Sequence, residues 1–185
     1  MIPAADDRNT RPGLVIAVQT GHDGAVTETG VGAGIAASAP VELRFTPSSL
    51  DLRTDLMLPT GRRRVFDALL HIGSWWPHRV HGGASIVLEP RVGGRFFENC
   101  DDGNGVLLGH VARMIMPNDF AIEGSFGLDA PVTALWRVRL ESVGHQQTQL
   151  SGRLSAFGAI DDDQRARAAS EWSSTYAALA HYLDA

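Results

Sequence analysis

His110 and Glu98 are the residues whose types and surroundings come nearest to acid–base chemistry in this chain. His110 sits in the apolar run Val106-Leu107-Leu108-Gly109-His110-Val111, and Glu98 ends Arg95-Phe96-Phe97-Glu98. A histidine or carboxylate enclosed by apolar walls has its protonation shifted, and a pair of them can exchange a proton with a bound molecule. The run around His110 is apolar on both faces, so periodicity leaves its inward or outward phase open. The two are therefore the candidates for catalysis.

Other arrangements fall short of a site. His78 and His81 lie three residues apart, a spacing that serves a metal only in a helix or tight turn and only with a third ligand. Pro77 and Gly82-Gly83 flank them, so a surface loop is expected, with no metal and no cofactor. Cys100 is the single cysteine, which excludes an intrachain disulfide, and the neighbouring Asp101 and Asp102 oppose thiolate formation. Gly93-Gly94 leads into a strand-like segment, whereas a phosphate cradle needs a helix after its glycines. A turn or bulge is the expectation there. The glycines at 30–34 have the wrong spacing for a dinucleotide fingerprint, and no nucleophile elbow or Ser-His-Asp arrangement is identifiable.

The elements that must position these residues follow from periodicity. Leu50, Leu52, Thr54, Leu56 and Leu58 alternate with Asp51, Arg53, Asp55 and Met57, a half-buried strand ended by Pro59. Thr60 is placed to cap a helix whose apolar stripe is Val65, Phe66, Leu69 and Leu70. Ser74-Trp75-Trp76-Pro77 follows; one Trp is expected to pack and the other to stay partly exposed. Strands are then expected over 86–89, 93–98, 106–115, 120–126, 133–141 and 147–156, with hairpin-like spacing that argues for antiparallel pairing. Trp136, Val138 and Leu140 share one face and Arg137 and Arg139 the other. The last element is a helix: Asp161, Asp162 and Asp163 suit its N-terminal end, and Trp172, Tyr176, Leu179 and Leu183 form one stripe. The fold class is α+β, a curved antiparallel sheet wrapped around a long C-terminal helix, the helix-grip arrangement. Residues 1–40, rich in Gly, Ala, Thr and Ser with one short apolar run at 14–18, are expected to form a weakly structured extension, and 41–185 the domain.

Composition narrows the function classes. The 185 residues are 44% hydrophobic and 20% charged, which allows a core without metals or disulfides. The net charge of -5 disfavours non-specific binding to nucleic acid or an anionic membrane. Every basic side chain other than histidine is arginine, and Arg62-Arg63-Arg64 is expected to form a solvated face. No apolar run reaches the ~20 residues of a membrane span, and no signal-peptide pattern opens the chain, so a cytoplasmic location is expected.

The order of elements and several motifs resemble the START-like superfamily, also called SRPBCC or Bet v 1-like. The matching residues are Arg64-Val65-Phe66-Asp67-Ala68-Leu69, Trp75-Trp76-Pro77, Glu89-Pro90-Arg91-Val92-Gly93-Gly94-Arg95-Phe96, Gly109-His110-Val111, Met116-Pro117 and Glu171-Trp172, within 49–185. The branch most similar is that of homologues of the C-terminal domain of the Hsp 90 ATPase activator. The resemblance implies an apolar cavity between helix and sheet, but no common catalytic set, because the fold hosts carriers, cyclases and co-chaperones. The leading expectation is therefore a domain that binds a small hydrophobic molecule, with Trp76, Phe96, Trp136, Trp172 and Tyr176 as the ligand-binding residues. The alternatives are a cavity enzyme of the cyclase or dehydratase type, using His110 and Glu98, and a chaperone-associated interaction domain with a protein partner.

Overall fold

Strict alternation makes β1 (Ser48–Leu58) a strand with one side turned in: Leu52 and Leu56 pack on the core while Asp51, Arg53 and Asp55 stay exposed. The computed structural model that gives this picture describes residues 47–83, 85–100, 103–128, 131–144 and 146–185. The expected extension over 1–40, its apolar run at 14–18, the glycines at 30–34 and the boundary at 41 lie outside the described residues.

After β1 the chain forms α1 (Arg62–Leu70) and a single 3-10 turn, Ile72–Ser74. It then returns as β2 (Ser85–Leu88), β3 (Arg95–Asn99), β4 (Gly105–Ile115), β5 (Asp119–Gly124), β6 (Val132–Ser142) and β7 (Thr148–Gly158). The order across the sheet is β1-β7-β6-β5-β4-β3-β2, with every neighbour antiparallel. The first strand therefore lies beside the last, and the segment holding α1 carries the chain from one sheet edge to the other. The closing helix, α2 (Asp162–Asp184), packs its stripe of Trp172, Tyr176, Leu179 and Leu183 into the core with Val65, Phe66 and Leu69 of α1 and the inward residues of the sheet. This is the helix-grip architecture expected from the sequence.

The caps differ in kind. Asp161 caps α2 in a reciprocal box: its carboxylate accepts from the Gln164 N–H, and the Gln164 side chain accepts from the Asp161 N–H. Asp162 and Asp163 then add negative charge to the first turn. Thr60 does not cap α1; Gly61 occupies that position without a side-chain bond, and the Thr60 carbonyl instead accepts from the Thr148 hydroxyl of β7. The paired glycines form a turn, with Gly93 at φ 75. The Gly93 and Gly94 N–H groups donate to the Val111 and Arg91 carbonyls, which leaves no cradle for an anion.

Where α2 crosses β7 the packing depends on a missing side chain. A Cβ on Gly152 would land on the Tyr176 phenol oxygen, well inside van der Waals contact. Tyr176 is buried and its hydroxyl accepts from the Trp136 indole N–H at 3.0 Å, so it has little room to retreat. Gly152→Ala is expected to cost about 1–3 kcal/mol through overpacking, measured as a lowered denaturant midpoint. An unchanged midpoint would mean that the ring can turn aside.

Candidate functional site

Three tryptophans reach one place from three elements. Trp76 comes from the loop after the 3-10 turn, Trp136 from the inward face of β6, and Trp172 from the N-terminal half of α2. Trp75, the other member of the pair, is buried and donates its indole N–H to the Ala68 carbonyl at 2.7 Å, which fixes the direction of its neighbour. The Trp76 ring lies 5.4 Å from Trp136 and 5.3 Å from Phe96, centroid to centroid. Trp76, Trp136 and Trp172, with Leu108, Phe126 and Leu154, wall a pocket of about 280 Å³. His78, the exposed Arg79, Arg167 and Glu171, and the buried Thr175 also line it, the exposed three forming its edge.

Two devices shape the walls. Phe126 and Gly127 both have positive φ, 52 and 81, and the Leu128 N–H donates back to the Ser125 carbonyl. That is the pattern of a type I′ turn, unusual for phenylalanine, and both residues line the pocket. On the other side, Glu98 holds the loop that carries Val80. The carboxylate is 0% exposed and accepts the backbone N–H groups of Val80 at 2.5 Å, His81 at 3.1 Å and Gly83. Burial pushes the Glu98 carboxyl up, but these three donors and the nearby Arg79 charge outweigh it and hold the group below its ordinary range.

His78 joins the loop to the helix. Its Nε2 lies 2.9 Å from the Glu171 carbonyl and 2.9 Å from the Thr175 hydroxyl, which itself donates to that carbonyl. A carbonyl can only accept, so in the tautomer that bonds Glu171 it is Nε2 that donates. The segment 77–83 is the largely exposed loop expected from its flanking residues, and within it His78 is half-buried beside Trp76 and ties the loop to the helix. Among the described residues no group of three or more His, Cys, Asp or Glu could hold a metal.

The expected ligand-binding residues divide in two. Trp76, Trp136 and Trp172 line the pocket, whereas Phe96 and Tyr176 are buried behind it, Phe96 against Trp76 and Tyr176 against Trp172. The two catalytic candidates are not brought together. His110 is exposed on β4, opposite Arg95 and Glu123, while Glu98 faces inward and spends both oxygens on the loop backbone. The outward phase of His110 follows from the adjacent Val111 turning inward; the register shift opposite Phe96 and Phe97, which leaves Leu108 unpaired, breaks the count of two from the inward Leu108. Arg79, Arg167 and Thr175 were not expected at the site. The helical spacing of 168, 172 and 175 carries the signal for Thr175; nothing in the sequence announces Arg79.

No protein-family model matches the sequence, and no curated protein does either. Solved structures do. An uncharacterized protein from Rhizobium leguminosarum aligns over 77% of this chain and 99% of its own, with 18% identity and a TM-score of 0.59. The Mll3558 protein from Rhizobium loti aligns over 74% and 98%, at 22% identity and TM-score 0.56. CalU16 from Micromonospora echinospora aligns over 76% and 85%, at 14% identity and TM-score 0.52. The likeness is one of fold. It agrees with the helix-grip architecture seen in the strand order, and it leaves the pocket to speak for the chemistry. No helix of the described residues is long and apolar enough to cross a membrane.

Proposed function

We propose that the domain binds a small, ring-bearing, largely apolar molecule in the pocket between α2 and the sheet. The observation that carries this reading is the convergence of Trp76, Trp136 and Trp172 on one concavity from three elements. Flat aromatic walls favour a flat guest, which they meet by offset or edge-to-face contact. The volume lies near the lower end of the ~300–1,000 Å³ usual for small-molecule sites, so the guest has one or two rings and is not a long lipid. Apolar burial at ~25 cal/mol per Å² supplies the affinity before entropic costs. Binding is favoured over proton transfer by His110 and Glu98, because the first faces solvent and the second is committed to the loop backbone.

Titrating the full chain with 2-naphthamide, followed by intrinsic tryptophan fluorescence, tests the proposal. Saturable quenching with a Kd near the micromolar range, ~-8 kcal/mol, is expected, and Trp76→Ala should weaken it at least tenfold while costing less stability than a change at a fully buried ring. Absence of saturation for naphthalene-sized compounds would overturn the reading. It would then favour an interaction domain of the Hsp 90 ATPase activator kind.

A further inference from the structure

The pocket's unused polar capacity is mostly of one kind. Trp172 is 9% exposed and forms part of the wall, and its indole N–H is buried with no hydrogen-bond partner. Indole is a donor only, so what it lacks is an acceptor. Arg167, one helical turn before Glu171 on the same α2 face, lines the edge, and no ion pair holds its guanidinium among the described residues. Arg79 donates through Nη1 to the Trp76 and His78 carbonyls, which leaves its other N–H groups unassigned. Among the described residues the opposing carboxylates are Glu171, which lines the pocket, and Glu98, whose charge already faces Arg79, so Arg167 is the guanidinium that no ion pair holds.

We propose, building on the binding role above, that the pocket selects ring-bearing organic anions over neutral and cationic molecules of the same shape. The rings lie against Trp76, Trp136 and Trp172, and the anionic oxygens meet the Arg79 and Arg167 guanidinium groups at the edge. Guanidinium presents a planar fork of donors that matches a carboxylate. The aromatic wall beside it lowers the local dielectric and lengthens the reach of the charges compared with open water. Glu171 keeps the edge from being a general anion trap, so the ring system remains necessary for binding.

The test compares three probes of one shape, 2-naphthoate, 2-naphthamide and 2-naphthylmethylammonium, on the full chain. The naphthoate is expected to bind at least tenfold more tightly than the amide, and the ammonium more weakly than both. Arg167→Gln should pull the naphthoate-to-amide ratio towards one, and added salt should do the same. Arg139→Gln, on the exposed outer face of β6, should leave the ratio where it was. Because Arg79 also braces its own loop, Arg167→Gln is the deciding variant. Equal affinity for naphthoate and amide, or preference for the ammonium, would overturn anion selection while leaving the binding role standing. A ratio indifferent to Arg167→Gln would overturn the assignment of the anion to this edge. Failure of all three probes to bind would remove the binding role itself and this inference with it.

Discussion

Trp136→Ala is expected to lower stability by about 3–5 kcal/mol, the range for truncating a large aromatic in a core, and to abolish binding of naphthalene-sized probes. Trp136 is 1% exposed at the middle of β6. Its ring meets Phe120 edge to face at 6.1 Å and Trp76 at 5.4 Å, and its N–H is the hydrogen-bond partner that holds the Tyr176 hydroxyl. Truncation would therefore leave a void open to the pocket and a buried phenol without its donor. The measurement is a denaturant titration with circular dichroism, paired with the fluorescence titration. If the alanine variant does not fold, Trp136→Phe separates the effects: the ring contact survives, the Tyr176 bond does not, and an intermediate loss of stability is expected. A variant as stable as the parent would contradict the burial, and one that binds with full affinity would take Trp136 out of the pocket wall.

Most of the scaffold around that residue was legible because its signals are local. The alternation in β1 and the 172, 176, 179, 183 stripe of α2 each state which side is inward, and the core is built from those sides. The strand carrying His110 was illegible for a definite reason. Leu107 is exposed on the outer face, so apolar residues lie on both sides of β4, and register shifts beside Phe96 and between Val111 and Arg113 interrupt the count of two. Glu98 was half legible. Its spacing of two from Phe96 puts it on the inward side, but its partners are backbone N–H groups of a loop, which carry no side-chain signature. His78 is similar: its partner Thr175 lies 97 residues away, a contact that only the folded chain creates.

The same reasoning makes Glu98 the second residue whose change should be felt widely. Glu98→Gln keeps the shape and one acceptor oxygen but replaces the other by an amide that can only donate. At least one of the Val80, His81 and Gly83 N–H groups then faces a donor in a buried site. Hydrogen bonds to a charged acceptor contribute roughly 1.5–3 kcal/mol each and are not additive within one cluster, so a loss of about 3 kcal/mol is expected. The Val80 wall should loosen with it, and probe affinity should fall. The pH dependence distinguishes charge from shape. Because the folded-state pKa of Glu98 is lowered, its contribution is present above the ordinary glutamate range and is lost as pH falls through the depressed folded value. Asp119, held low by Arg137 and Arg113, and Asp51 and Glu89, both lowered to about 2 by arginine partners, titrate in parent and variant alike and cancel in the difference. The stability gap between parent and Glu98→Gln should therefore be widest near neutral pH and close progressively in acid. A gap that stays constant down to the acid limit would show that the carboxylate's charge does not hold the loop, and that the glutamine is destabilising only through its fit.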